Sequence, residues 1–248
     1  MGKKNRKNKT KNITNMPTIS ICTPTYNRRK FLPLVISCYL SQDYPKELIE
    51  WIVVDDGEDC VKDLFENVPG VKYFRCPIKA KLGRKRNFVN EKASGDILVY
   101  MDDDDFYPPD RISHAVKKIQ SREGIMAAGA SEIYIYFDNI KKIYRFGPYG
   151  PMHATAGTFA FKKELLKTSK YEDNADFAEE KFFLKNYTVP LIQLDPFKSI
   201  LVYSHDSNTF DKRQLLNNRG ATETSLKIKN FIRDSKIRKL FLDVNRKD

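Results

Sequence analysis

Residues 97–110 read "ILVYMDDDDFYPPD". An apolar, β-rich run ends there in four consecutive aspartates, Asp102 to Asp105, and a Pro-Pro turn follows. Adjacent carboxylates repel. Two unit charges about 4 Å apart interact by ~4 kcal/mol at an effective dielectric of about 20. Such a cluster is tolerated when it is solvated, when a proton is shared, or when a cation sits among the acids. A divalent metal held by one or two carboxylates, with phosphate oxygens completing its shell, is the usual arrangement for Mg²⁺ or Mn²⁺. The run therefore reads as a place to hold a metal, and the metal as a means to hold a diphosphate.

Upstream, the chain alternates. "TISIC" is a short strand that opens into the loop "TPTYNR", and Leu32, Val35, Ile36, Tyr39 and Leu40 then recur at helical spacing. "EWIVV" is a second strand ended by "DDGED", "VKYFR" a third, and "GRKRNFVNEKAS" is helical in propensity. Downstream of the acids, Ile112, Ala115, Val116 and Ile119 fall at i, i+3, i+4, i+7 behind a proline opening, which marks an amphipathic helix. This alternation predicts an α/β fold with a mostly parallel sheet and helices on its faces. Beyond residue 124 the rhythm becomes mixed. Strands are expected at "GIMAAGA", "EIYIYF", "KKIYRF", "GTFAF", "LIQLD" and "SILVYSH", with a hairpin through Asp138–Asn139 and a loop entering a helix at "NADFAEEKFFLKN". Residues 1–17 read as a disordered basic tail, 18–220 as one domain, and 221–248 as a basic amphipathic helix with Ile228, Phe231, Ile232, Leu240 and Phe241 on its apolar side.

The chain has 248 residues, 41% of them hydrophobic, and a formal net charge of +12. Half of that excess lies in "MGKKNRKNKTKN", a tail suited to solubility or to contact with a polyanion or an acidic membrane surface. No apolar segment follows it as in a secretory signal, and no stretch approaches the ~18 apolar residues of a membrane span. Gly2 is not read as a myristoylation site, because Arg6 stands where Ser or Thr is wanted. Cys22, Cys38, Cys60 and Cys76 show no C-x-x-C spacing and read as thiols in a reducing compartment. A cytoplasmic enzyme fits this background.

Ligands of open parallel sheets bind beyond the carboxyl ends of the strands. Those ends carry Thr23 to Arg28, Asp55-Asp56-Gly57, and Asp102 to Asp105. Aspartate is also an ordinary strand terminator, a reading that takes in Asp59 and extends to Asp56 and Asp105 but does not account for acid clusters behind two separate strands. Lys81, Arg84, Lys85 and Arg86 lie where they could meet phosphates, or else form a solvated helix face.

Taken in order, "ISICTPTYNR", "IVVDDGED", "LGRKRN", "ILVYMDDDDF", "GTFAFKKELL" and "AEEKFFL" resemble the family 2 glycosyltransferases of the GT-A fold, from about Ile19 to Leu184. The resemblance implies a nucleotide-sugar donor, commonly a UDP-sugar, a divalent cation, and inversion at the anomeric carbon by direct displacement. It places Pro24, Thr25, Tyr26 and Arg28 around the nucleoside and Asp55 against the base. Arg86 and Asn87 fall in a G-x-K-R-N element at the donor. Asp102-Asp103-Asp104 matches the D-x-D motif, with Asp102 toward the ribose and Asp104 on the metal; the run leaves Asp103 and Asp105 open as alternatives. The family's Glu-Asp pair, which supplies the base, reads Glu179-Glu180 here. Glu180 is favoured, with Glu179 and then Asp176 behind it; acids at a helix start are the ordinary alternative. His205 is expected as a late metal ligand, and an imidazole suits Mn²⁺ better than Mg²⁺. His153 lies in the segment expected to line the acceptor site. A sugar nucleotidyltransferase would want a glycine-rich loop after the first strand, where "TPTYNRR" stands. A nucleic-acid-binding protein would want a basic surface with stacking aromatics. The acceptor is not legible.

Overall fold

The computed structural model describes residues 15–176, 179–217 and 220–244. The basic segment 1–14, and with it any polyanion or membrane contact of the tail, lies outside the described residues. In chain order the first half comprises β1 (Ile19–Thr25), α1 (Leu32–Leu40), β2 (Ile49–Asp55), β3 (Val71–Arg75), α2 (Leu82–Lys92), β4 (Ile97–Tyr100) and α3 (Arg111–Gln120). The second half adds β5 (Ala127–Gly129), β6 (Ile133–Phe137), β7 (Lys142–Phe146), β8 (Ala160–Lys162), α4 (Glu180–Phe183), β9 (Leu191–Gln193), β10 (Leu201–Ser204), β11 (Thr222–Glu223), α5 (Ile228–Phe231) and α6 (Ser235–Asp243).

Two sheets result. One has the order β3-β2-β1-β4-β8-β5-β9, the other β10-β6-β7-β11. β1 pairs in parallel with both β2 and β4, and β2 with β3, while β8 runs antiparallel between β4 and β5. The first half is thus the parallel α/β arrangement that alternation predicts. β1 is buried at every position, because Ile19 and Ile21 share a core with Leu32 and Val35 of α1 while Cys22 shares one with Val89 of α2. Ile112, Ala115, Val116 and Ile119 of α3 are all buried, as their spacing requires.

A buried hydrogen-bond chain fixes the height of three strand ends. The Trp51 indole N–H donates to Thr23 Oγ1 at 2.8 Å, and the Thr23 hydroxyl donates to the Met101 carbonyl at 2.6 Å. β2, β1 and the residue after β4 are thereby locked side by side, and the acidic run starts one residue later. Fully buried Arg111 then ties α3 to the neighbouring strand entry, donating to the Thr158 and Phe159 carbonyls at 2.7 and 2.8 Å.

Two elements differ from expectation. "GTFAF" becomes strand only from Ala160, because Ala156–Thr158 forms a 3₁₀ turn. The Thr158 hydroxyl stabilises that turn by donating to Thr155 O at 2.7 Å and accepting from the Ala130 N–H at 2.9 Å. The C-terminal helix is two helices. Asp234 interrupts the apolar periodicity by capping α6, accepting from the Lys236 and Ile237 N–H groups at 2.7 and 3.0 Å. Phe231, Ile232 and Phe241 are nevertheless buried, and Phe241 packs against Tyr136 and Tyr203 of the second sheet.

Candidate active site

The ends of β1 and β4, the first turns of α2, the 155–157 turn, Asp176 and the Glu179–Glu180 pair converge on a cleft of about 350 Å³. A loop from Asn208 to Lys212 closes its remaining side.

The four aspartates part ways here. Asp102 meets the guanidinium of Arg86 at 3.2 Å, and its own N–H donates to the Tyr107 hydroxyl at 2.7 Å. Its carboxylate has room only because residue 157 is glycine: a Cβ there would lie 2.8 Å from Asp102 Oδ2. Asp103 faces Arg28 Nε at 3.7 Å. Asp104 also faces Arg28, at 3.6 Å, and its Oδ2 lies 3.1 Å from His205 Nε2 and 3.2 Å from Asn208 Nδ2. Asp105 turns into the protein and accepts the Tyr203 N–H at 2.8 Å. The cleft is thus lined by Asp102, Asp103 and Asp104, and Asp105 serves the packing of β10.

The electrostatics follow from this placement. Burial pushes the Asp103 carboxyl up to about 7, and the Asp104 charge adds to the effect. Asp104 is buried too, but the hydrogen bond from His205 and the charges of Lys212 and Arg28 outweigh burial and hold it below the usual carboxylate range. Burial lowers the His205 imidazole despite the bond to Asp104. Asp104 is therefore held ionised, as a metal ligand must be, while the His205 Nδ1 accepts the Ser207 N–H at 3.1 Å and its Nε2 faces Asp104. Among the described residues no group of three or more His, Cys, Asp or Glu forms a ready metal cage. Two donors that leave the rest of the shell to phosphate oxygens and water fit a nucleotide-borne cation.

Arg86 is the central cation. It is buried on α2, stacks over Tyr100 at 4.7 Å, and bridges Asp102 to Glu179, whose Oε1 accepts from its Nε at 2.8 Å. Glu179 is thereby committed. Glu180, the next residue, lines the cleft and has no ion-pair partner among the described residues. Burial, reinforced by Glu179, pushes its carboxyl from 4.5 up to about 7. Asp176 pairs with Lys81 at the rim.

Pro24, Thr25, Tyr26 and Arg28 line the cleft, and Lys79 lies 4.0 Å over the Tyr26 ring. Lys85 is buried, pairs with Asp56 and donates to the Thr25 carbonyl at 3.2 Å; Arg84 points to solvent. Two expected donor residues do not line the cleft. Asn87 holds the 171–173 segment, its amide donating to Tyr171 O at 2.9 Å and Asp173 Oδ1 at 2.7 Å. The Asp55 carboxylate is buried at the end of β2, taken up by the Gly57 N–H at 2.8 Å, Arg75 at 3.3 Å and the Tyr73 hydroxyl. Sequence reasoning missed Asn208 and Lys212. Asn208 stands three residues after His205 and its side chain hydrogen-bonds it twice, a spacing that could have flagged it.

The family model described as "Glycosyl transferase family 2" matches residues 20–183. An uncharacterized glycosyltransferase of Haemophilus influenzae is 32% identical over 79% of this chain and 79% of its own. A fragment of Staphylococcus aureus TarS (1–349) in complex with UDP-GlcNAc superposes with a TM-score of 0.63 at 19% identity, covering 77% of this chain and 60% of that one. A mannosyltransferase from Pyrobaculum calidifontis in complex with GDP-Man and Mn²⁺ superposes with a TM-score of 0.63 at 15% identity, over 93% of this chain and 70% of its own. These likenesses establish the GT-A fold. The chain spans less than two thirds of the TarS fragment.

Proposed function

This chain belongs to glycosyl transferase family 2 and is a glycosyltransferase; from that premise we propose that it transfers a sugar from a nucleotide-sugar donor to an acceptor hydroxyl with inversion at the anomeric carbon, with Glu180 as the base that activates that hydroxyl. The observation that carries this reading is Glu180 itself: a cleft carboxylate near pH 7 in its titration, without an ion-pair partner among the described residues, in the same cleft as the Asp102–Asp104 cluster. A general base works best when its pKa lies near the working pH.

Glu180 takes the acceptor proton as the hydroxyl oxygen attacks the anomeric carbon. The bond from that carbon to the diphosphate oxygen breaks, and the nucleoside diphosphate leaves with the electron pair. Attack from the face opposite the leaving group inverts the configuration. Arg86 holds Asp102 in place for the ribose and keeps Glu179 out of competition for the proton. Pro24, Thr25 and Tyr26 border the nucleoside. Arg28 and Lys212 bring positive charge to the side where the diphosphate departs. Asp104 and His205 would hold a divalent cation there, and such a cation supplies charge neutralisation to the leaving diphosphate. Mn²⁺ is favoured over Mg²⁺ by the imidazole donor.

UDP is the nucleotide we favour, on the strength of the UDP-GlcNAc complex of TarS. The four free cysteines and the absence, among the described residues, of a helix able to cross a membrane fit a cytoplasmic site of action. Titration calorimetry of UDP and GDP, each with Mn²⁺ and with chelator, tests the reading, together with release of UDP from a panel of UDP-sugars. Micromolar UDP binding that needs metal is expected. No nucleotide binding in the presence of Mn²⁺ would overturn it.

A further inference from the structure

One set of side chains beside the cleft is unused by the chemistry above. Tyr149, His153 and Tyr187 come from two separate segments, yet their rings form a continuous array. Tyr149 and His153 have centroids 4.9 Å apart, and His153 and Tyr187 4.8 Å apart. Tyr149 is 53% exposed, and the other two are half-buried.

Both segments carrying the array run on from residues of the cleft wall. His153 lies two residues ahead of Thr155, which with Ala156 and Gly157 forms one wall. Tyr187 follows α4, which Glu180 begins, and burial together with the nearby Glu180 charge raises its phenol. The array lies away from the nucleoside side. Tyr26 and Lys79 sit by β1 and β3, whereas the segments carrying Tyr149, His153 and Tyr187 flank β5 and β9, at the other end of the seven-stranded sheet.

One segment is held in a shape that a free chain avoids, and the other is clamped by a side chain. Lys185, Asn186 and Tyr187 have φ of 51°, 55° and 62°, three non-glycine residues in succession in the left-handed region. A bulky residue there is an outlier, and such strain concentrates where ligands are gripped. Across from it, the Gln193 amide clamps the other loop, donating to Pro151 O and His153 O at 2.9 Å each while its oxygen accepts the Ser131 N–H at 2.8 Å. His153 Nδ1 is buried without a hydrogen-bond partner among the described residues. The loops are thus built to present these rings.

We propose that Tyr149, His153 and Tyr187 form the acceptor subsite and that the acceptor is a saccharide, one pyranose ring stacking on the array with its reacting hydroxyl turned toward Glu180. A pyranose suits the array because its C–H face packs on aromatic rings while its equatorial hydroxyls stay free for polar partners. The proposal rests on the reading of Glu180 as the base.

Saturation-transfer NMR on the full chain with UDP and Mn²⁺ tests it. The probes are the methyl glycosides of glucose, galactose and N-acetylglucosamine, with ribitol as an open-chain control. At least one methyl pyranoside should receive saturation on its ring protons, and ribitol should not. Tyr149→Ala and Tyr187→Ala should each weaken that binding about five- to tenfold, the worth of one aromatic contact. Tyr149→Phe and Tyr187→Phe should retain it, and UDP affinity should be unchanged in all four variants. Absence of any pyranoside signal while UDP binds overturns the subsite alone. So does ribitol binding as well as the pyranosides, an undiminished signal in the alanine variants, or a loss in the phenylalanine variants as large as in the alanine ones. Failure of the wild-type protein to bind UDP overturns the transferase reading and the subsite with it.

Discussion

Replacing Glu180 by glutamine should separate chemistry from stability in opposite directions. The Glu180 carboxyl titrates at about 7 in the folded protein, against 4.5 when unperturbed, because it is buried and Glu179 is adjacent. At about 1.4 kcal/mol per pH unit, that displacement amounts to ~3 kcal/mol. The sign is fixed by linkage. A folded-state value raised above the unfolded one means that the folded protein holds the proton more tightly. The stabilising effect of that proton is complete below pH 4.5 and lost as pH rises through about 7. At pH 8 the wild-type protein therefore carries an ionised, largely buried carboxylate at its full cost. Glu180→Gln cannot ionise, so it should be more stable than wild type by about 3 kcal/mol at pH 8, and the difference should shrink toward zero near pH 4.5. Urea unfolding of both proteins across this range measures it, since titrations shared by the two cancel in the difference. Turnover should fall by about two to four orders of magnitude with donor affinity nearly unchanged, as expected when a general base is removed. Wild-type kcat/KM should rise with pH through about 7. An active Glu180→Gln enzyme would refute the base assignment. An inactive one with no gain in stability at pH 8 would keep the base but refute its raised pKa.

Further expectations follow from the same cleft. Asp104→Asn should weaken metal-dependent UDP binding about tenfold or more while leaving metal-free binding alone; equal loss with and without chelator in calorimetry would remove Asp104 from the metal. His205→Ala should shrink the preference for Mn²⁺ over Mg²⁺ in UDP binding, and an unchanged ratio would return His205 to a packing role against Phe31, whose ring lies 4.2 Å away. Gly83→Ala should destabilise by about 2–3 kcal/mol, because its Cβ would lie 1.9 Å from the Glu172 carbonyl oxygen. A melting temperature within a degree of wild type would show that the 172–175 loop yields freely.

Much of the fold was legible because burial on one side leaves a period in the sequence. The α3 spacing and the alternating strands of the first half are direct readings of that period, and each is where it was expected. The C-terminal segment misled for a reason equally physical. Its apolar residues keep helical spacing across residues 232–234, but Asp234 takes two backbone N–H groups and starts a new helix. Periodicity reports which face is buried, whereas a helix break depends on a single cap. The site was less legible, because a motif names neighbours in sequence and not directions in space. Arg86 and Asn87 sit side by side in the G-x-K-R-N element, but successive residues of a helix point about 100° apart. Arg86 therefore faces the cleft while Asn87 faces away to hold Tyr171 and Asp173.

The aspartate run shows what such a motif leaves undetermined. β4 ends at Tyr100, so the acids occupy a turn and not a strand, and no two-residue alternation governs where they point. Each is oriented by a partner from elsewhere: Asp102 by Arg86 of α2, Asp103 by Arg28 after β1, Asp104 by His205 after β10, and Asp105 by the Tyr203 backbone. Those partners lie between 16 and 101 residues away in the chain. Charge density could therefore be read from the sequence, but which carboxylate meets Arg86, which Arg28 or His205, and which turns inward could not. The same division explains how four adjacent carboxylates coexist. Asp102 meets Arg86, and Asp104 is held below the usual carboxylate range by His205, Lys212 and Arg28. Asp103 is pushed toward neutrality, and Asp105 is driven well above the carboxylate range by burial and by Asp104. The run carries fewer charges than residues, and the proposed cation site rests on Asp104, the member held below the usual carboxylate range.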